Sequence, residues 1–179
     1  MVIVSRIAYR YAKSLFEQSK EEKSLDNVKQ DMELVASTIT ESRDLQNLLK
    51  SPIISLDKKG AVLSKIFADK VSKSTSGLLA LLVNKGREAE LLGVANGFLK
   101  LYNQENNIVK AKLTTAISLD ENLKKQFLKV ATDATGKKVD LTQEVDEDLI
   151  GGYVLRFEDS QIDASVKTRL NKIKQQLFQ

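Results

Sequence analysis

Four short runs in this sequence carry residue types that could do chemistry. Ser55-Leu-Asp-Lys58 has the serine, two spacers and lysine of an acyl-transfer pair, in which a lysine amine would take the serine proton. No companion Ser-Asp-Asn or Lys-Thr-Gly element accompanies it, and the same residues read as a helix start. Asp146-Glu147-Asp148 offers the hard carboxylate oxygens that calcium and magnesium take, but no calcium-loop spacing surrounds it, so it reads as a solvated turn. Gly151-Gly152 could present backbone N–H groups to a phosphate, yet neither the dinucleotide fingerprint nor the Walker lysine spacing is present. Tyr9 and Tyr11 lie among basic residues, as in a base-stacking surface, but aromatics are only 6%, Trp is absent, and both tyrosines fall within a helical pattern. The chain has no His and no Cys, which excludes zinc fingers, disulfide frameworks, Cys or Ser-His nucleophiles and His-ligated metals. The expectation is a protein without catalytic, cofactor-binding or metal-binding residues.

Binding is therefore the function to look for, and charge bounds the partner. In 179 residues the net charge is +4; residues 1–104 hold sixteen Lys and Arg against twelve Asp and Glu, and the remainder holds twelve against twelve. Acids such as Glu21, Glu22, Asp31 and Glu33 interrupt the basic residues, so they read mainly as solvated helix faces. A helical nucleic-acid-binding adaptor is the alternative this N-terminal surplus suggests, and a steep salt dependence of DNA binding would mark it. Hydrophobic residues at 42% and charged residues at 29% suit a soluble folded protein of one ordinary or two small domains. The longest uninterrupted apolar stretch, Leu78 to Val83, is far short of the ~20 residues of a membrane span. Absence of cysteine fits a reducing compartment.

The elements that must position a binding surface follow from periodicity. Ile7, Tyr11 and Leu15 form one four-residue row and Ala8, Ala12 and Phe16 its neighbour, predicting a first helix from about Ser5 to Lys20. Leu25, Val28, Met32, Val35 and Ile39 predict a second, and Leu45, Leu48 and Leu49 a short third that stops near Ser51, ahead of Pro52. Asp57 begins a fourth, with Val62, Leu63, Ile66, Phe67 and Val71. Ser74 or Thr75 caps a fifth, apolar all round from Leu78 to Val83 and ended by Gly86; Leu91, Ala95, Phe98 and Tyr102 mark a sixth. A helix apolar all round is either central in a bundle or keeps one side for a partner. After Asn107 the period changes to two: Val109, Ala111 and Leu113 predict a strand, Asp120 to Gly136 a helix, Val139 to Val145 and Tyr153 to Phe157 two more strands. A last helix has Asp163 or Ser165 as cap and Val166, Leu170, Ile173 and Leu177 as its seam. The fold class expected is mainly α: a six-helix bundle over residues 1–104, then a small α+β domain over 105–179.

These segments, in this order, resemble a known family. Ile7-Ala-Tyr-Arg-Tyr-Ala-Lys-Ser-Leu-Phe16 looks like the opening helix of the delta subunits of bacterial F-type ATP synthases, homologues of the mitochondrial oligomycin-sensitivity-conferring protein. Leu81-Leu-Val-Asn-Lys-Gly-Arg87 resembles the end of that family's fifth helix, and Ala111-Lys-Leu-Thr-Thr-Ala116 its first C-terminal strand. The run from Val145 to Ser165 carries the family's paired glycines, Arg156, and the later Asp163 and Ser165 at matching spacing; Glu158 stands where a glycine is common in relatives. The resemblance implies a non-catalytic stator protein. Its N-terminal bundle would bind the amphipathic N-terminal helix of an alpha subunit, and its C-terminal part would join the end of the peripheral-stalk b subunit. No nucleic acid and only indirect membrane association are implied, on the cytoplasmic face of a bacterial inner membrane. An early start of the first helix favours a bacterial origin. The family uses helices one and five for the alpha helix, so exposed members of Tyr11, Ala12, Leu15, Leu78, Leu79 and Leu82 are the expected partner-binding residues.

Overall fold

The computed structural model describes residues 5–67, 70–116, 120–146, 149–157 and 160–177. It is mainly helical, with a small sheet in its C-terminal part. The chain packs as two units, residues 1–103 and 104–179.

The first unit contains α1 (Arg6–Glu21), α2 (Leu25–Glu41), α3 (Arg43–Lys50), α4 (Leu56–Phe67), α5 (Lys73–Asn84), a 3-10 turn (Glu88–Glu90) and α6 (Leu91–Glu105), which runs just past the boundary. Hydroxyl side chains start three of these helices. The Ser5, Ser42 and Ser72 hydroxyls accept from the backbone N–H of Ala8, Leu45 and Thr75, satisfying donors that have no partner within the helix. The cap of α5 is thus Ser72, not Ser74 or Thr75: Ser72 alone among the three has extended backbone, and Thr75 is already in the helix, buried. Gly86, after α5, adopts the left-handed conformation expected of it, with φ +61°.

One core fills this unit. Ala8, Ala12, Leu15 and Phe16 of α1 meet Val28, Met32, Val35 and Ile39 of α2, Leu78, Leu79, Leu82 and Val83 of α5, and Val94, Ala95 and Phe98 of α6. The rings of Phe16 and Phe98 meet edge to face, centroids 5.8 Å apart.

The second unit has β1 (Ile108–Thr115), α7 (Glu121–Thr135), β2 (Lys138–Val145), β3 (Tyr153–Arg156), β4 (Gln161–Asp163) and α8 (Val166–Leu177). The strand order is β2-β1-β3-β4. β1 and β2 are parallel, Ile108 opposite Lys138 through Thr115 opposite Val145, with α7 as the crossover such a pair needs. β3 runs antiparallel to β1, and β4 to β3. The core is Ala111, Leu113, Leu155, Phe157 and Ala131, with Phe127 and Tyr153 packed against it edge to face at 4.8 Å. β4 adds a strand that alternation did not indicate, because its three residues are all exposed.

Gly152 fixes the start of α8. Its φ is +81°, and a Cβ there would lie 2.3 Å from the Ala164 carbonyl oxygen. The close approach lets Val166 N–H donate to the Gly151 carbonyl at 3.0 Å and Ala164 N–H to that of Tyr153 at 2.9 Å. Ser165 caps α8, its hydroxyl accepting from Thr168 N–H at 3.2 Å, while Asp163 accepts from Ser165 N–H at 2.9 Å.

Candidate docking surfaces

None of the four runs of chemically capable residues forms a reaction centre. Ser55 and Lys58 are both exposed around the first turn of α4. Gly151-Gly152 serves the close approach to Ala164 just described. Asp146 follows the last residue of β2, and Glu147 and Asp148 lie outside the described residues, as does Glu158. Among the described residues no group of three or more carboxylates could hold a metal ion.

The structure decides which apolar residues of α1 and α5 face outward. Ala12, Leu15, Leu78, Leu79 and Leu82 are buried in the core, and Tyr11 is half-buried against it. The expectation was for the exposed members of these six, and burial leaves Tyr11 as the one partly exposed member. Their rows are where α1 and α5 pack into the unit, so five of them face in, and an approaching molecule would meet other atoms first. On α5 those belong to Leu81, 43% exposed, and to Gly77; on α1 they belong to Tyr11. Leu81 lies three residues beyond Leu78, one turn along the helix. It was in plain view as part of the apolar run Leu78 to Val83, but periodicity alone could not separate its outward side from its inward one.

A hydrogen bond joins the two helices. The Ser74 hydroxyl, in the first turn of α5, donates to Glu22 Oε2 at the C-cap of α1, 2.9 Å away. Hydrogen bonds from Gln18 and Ser74 hold the Glu22 carboxyl below its ordinary value. From that bond a row climbs α1 through Gln18, Leu15 and Tyr11, and another climbs α5 through Leu78 and Leu81, in steps of three and four.

Two polar clusters that sequence reading missed hold α4 and α5 in place. Lys59 and Glu88 form a buried ion pair, Nζ to Oε1 2.6 Å, with side chains only 3% and 8% exposed. Lys59 also donates to the Leu49 carbonyl at 3.2 Å, which ties α4 to the end of α3. Burial raises the Glu88 carboxyl, but the Lys59 hydrogen bond, its own backbone amide and the Lys59 charge more than offset this and leave it lowered. In the second cluster Asp31 Oδ2, on α2, accepts from Ser72 N–H and from the Thr75 hydroxyl, both at 2.8 Å. A carboxylate thus sits at the N-terminus of α5, where the helix dipole favours it.

On the second unit, two residues of the seam of α8 are exposed, Val166 and Leu170, Leu170 by 53%, while the side chains of Ile173 and Leu177 lie outside the described residues. No helix among the described residues is long and apolar enough to cross a membrane.

Comparison with known proteins gives these surfaces a context. The family model described as ATP synthase delta (OSCP) subunit matches residues 7–177. The ATP synthase subunit delta of Desulforamulus reducens is 41% identical over 96% of this chain and 95% of its own. That of Cytophaga hutchinsonii is 38% identical over 95% and 93%. Among solved structures, a chain of the Toxoplasma gondii mitochondrial ATP synthase hexamer superposes with a TM-score of 0.74 at 25% identity, covering 98% of this chain and 99% of that one.

Proposed function

Because the chain belongs to the ATP synthase delta (OSCP) subunit family, we propose that its two units are the two ends of a tie between the catalytic head and the peripheral stalk. The protein is a non-catalytic stator subunit of an F-type ATP synthase, and its part in ATP synthesis is mechanical. The nucleic-acid adaptor suggested by the basic surplus has no support among these relatives.

In this reading residues 1–104 act as a six-helix bundle that takes the amphipathic N-terminal helix of an alpha subunit on the α1–α5 side. Leu81 and Tyr11 would be the contact residues, with Ala12, Leu15, Leu78, Leu79 and Leu82 as the packed floor beneath. Residues 105–179 would join the C-terminal end of subunit b through Val166 and Leu170, the exposed residues of the α8 seam among those described. The membrane is reached only through the complex, at the cytoplasmic face of the inner membrane. The observation that carries the head-side assignment is Leu81, a large apolar side chain left 43% exposed on a helix whose other leucines are buried.

Holding against torque requires slow dissociation more than side-chain chemistry. A nanomolar attachment corresponds to about −12 kcal/mol. At ~25 cal/mol per Å² that needs about 500 Å² of apolar surface, and more once the cost of association is included. A single helix laid in a groove reaches that scale, so the proposal asks nothing unusual of either unit.

The test is a titration of the full chain with an alpha N-terminal peptide and, separately, with the soluble b segment. Leu81→Asp should weaken the alpha peptide at least ~10-fold, about 1.4 kcal/mol, and leave the b segment unchanged. Equal alpha-peptide affinity in a Leu81→Asp protein with unaltered circular dichroism would overturn the head-side assignment.

A further inference from the structure

A groove lies on the α4 side of α5. It has a volume of about 530 Å³ and runs between α4 and α5, lined by Gly60, Ala61 and Ser64 on one wall and Ser76, Ala80 and Asn84 on the other. Leu63, Phe67, Val71, Leu79 and Val83 supply its apolar floor. The walls are small residues at spacings of three and four, so the backbone of an occupant can come close. Along α4 the lining extends from Asp57 to Phe67, about 15 Å or three helical turns at 1.5 Å per residue.

Gly60 keeps the groove open. It sits inside α4, where glycine costs about 1 kcal/mol relative to alanine. A Cβ there would meet only Val83 Cγ1, at 3.5 Å, an ordinary contact. Packing of the unit therefore does not demand glycine at this position, whereas an unobstructed wall does.

Charge identifies the occupant. Residues 56–87 hold seven Lys and Arg against two Asp, a net of +5 that exceeds the +4 of the whole chain. Of the seven, Lys59 is the one consumed by a buried partner. Lys58, Lys65, Lys70, Lys73, Lys85 and Arg87 are exposed, and none forms an ion pair among the described residues. Helical spacing puts Lys58 and Lys65 three before and four after Ala61, on the shoulder of one wall, and Lys73 three before Ser76, in line with the other. Lys70 adjoins Val71 in the connection between the helices. Asp57 is the one carboxylate among the described lining residues, in the first turn of α4.

We infer that the α4–α5 groove is a second docking site, separate from the α1–α5 side, for an acidic amphipathic helix. Its apolar stripe lies on the floor of Leu63, Phe67, Leu79 and Val83, and its carboxylates meet the lysines of the rim. The rim charges set approach and orientation, so binding is salt-sensitive, while the floor sets affinity.

The probe is a fluorescein-labelled synthetic peptide of about 18 residues, long enough to sustain helix, with leucines at helical spacing and glutamates on its other face. Its counterpart carries the same leucines with lysines, and vesicles containing anionic lipid form a third arm. The full chain should bind the acidic peptide at least ~10-fold more tightly than the basic one. Ala80→Arg fills the groove with its charge still positive, and should weaken the acidic peptide at least ~10-fold. The triple reversal Lys58→Glu, Lys65→Glu, Lys73→Glu, all at exposed positions, should reverse the peptide preference. Leu81→Asp should leave binding within about twofold, and amide shifts on adding peptide should centre on Gly60, Ala61 and Ala80. The inference fails if both peptides bind alike, if neither binds at ~1 mM, if only vesicles bind, or if folded Ala80→Arg matches the parent. Loss in Leu81→Asp with retention in Ala80→Arg would put the peptide on the α1–α5 side. That outcome overturns the second site and leaves the proposed function standing.

Discussion

Replacing Lys59 by Met should destabilise the first unit by about 3–5 kcal/mol at pH 7, although no apolar contact of its stem is lost. Lys59 Nζ gives one hydrogen bond to Glu88 Oε1 at 2.6 Å and one to the Leu49 carbonyl at 3.2 Å. The second Glu88 oxygen, Oε2, already has no partner among the described atoms. Methionine would leave the carboxylate with its own backbone amide as its one donor among the described residues, and the Leu49 carbonyl without the ammonium, where side chains are less than a tenth exposed. Neither water nor salt screens them there, unlike the half-exposed pair Lys112–Glu144, whose contribution should be below about 1 kcal/mol. The double replacement Lys59→Met, Glu88→Leu removes both charges at similar volume and should recover most of the loss. Urea denaturation of the parent, Lys59→Met, Glu88→Leu and the double variant, followed by helical circular dichroism, gives the coupling energy from the cycle.

The pH dependence gives this prediction a second, independent sign. In the parent the Glu88 carboxyl is lowered in the folded state, so its contribution is fully present above the ordinary carboxylate value. It is lost as pH falls through the lowered folded value. In Lys59→Met both Lys59 effects are gone and burial, the largest of the causes, is opposed only by the backbone amide, so the carboxyl is raised and the folded state binds a proton more readily than the unfolded state. The deficit of that variant should therefore shrink as pH falls from about 7 to 5, where the parent is still unaffected. A Lys59→Met loss below about 1 kcal/mol, or a deficit that does not change over this window, would refute the claim that this ion pair is dry and tightly coupled.

Three further outcomes follow from particular contacts. Gly152→Ala should destabilise the second unit by about 3 kcal/mol or more, since its methyl would meet the backbone of Ala164 and Ser165, whereas Gly136→Ala, with φ +63° and open space around it, should cost about 1 kcal/mol; amide exchange in β3 separates them. Asp31→Ala removes two hydrogen bonds from the start of α5 and should cost about 2 kcal/mol by urea denaturation, with the largest exchange increase in α5. Leu170→Asp, at a site 53% exposed, should leave the melting temperature within about 2 °C and weaken the soluble b segment at least ~10-fold in titration.

Much of the fold was legible because the helices bury single stripes. The seam Val28, Met32, Val35 and Ile39 is buried throughout, as is the alternation Ala111, Leu113 in β1. Both patterns are set by geometry within one element, and a sequence displays that directly. What was not legible depends on distance along the chain. Lys59 and Glu88 are twenty-nine residues apart, and Asp31 and Thr75 forty-four, so nothing local distinguishes these residues from solvated ones. The α5 cap was misread for the same reason: Ser72, Ser74 and Thr75 all have the right hydroxyl, and only Asp31 pulling on Ser72 N–H and Thr75 selects among them. The docking residues were hard to single out for a different reason. Rows that are apolar enough to bind a partner are also the rows a helix buries first, so Ala12, Leu15, Leu78, Leu79 and Leu82 went to the core and left Leu81 outside.

A stator must resist shear, which apolar packing does poorly by itself, because a hydrophobic contact stabilises nearly as well after a helix slides by an ångström. Hydrogen bonds and ion pairs do not tolerate such a slide, since both distance and angle matter. Among the described residues of the first unit, five side-chain to side-chain hydrogen bonds join segments far apart in sequence. Ser5 donates to Glu90 at 2.5 Å, Ser74 to Glu22, Tyr102 to Asp26 at 2.6 Å, Lys59 to Glu88, and Thr75 to Asp31. Between them they link the α1 cap to the 3-10 turn, α1 to α5, α2 to α6, α4 to the 3-10 turn, and α2 to α5. Each of the two helices that flank the α4–α5 groove is pinned by a directional bond, α5 at its N-terminus and α4 through Lys59. If stiffness is what these ties provide, then Lys59→Met, Glu88→Leu should show faster amide exchange in α4 at nearly unchanged global stability. A double variant with parent-like exchange in α4 would mean that packing alone holds the helix, and the polar ties would then have no mechanical role.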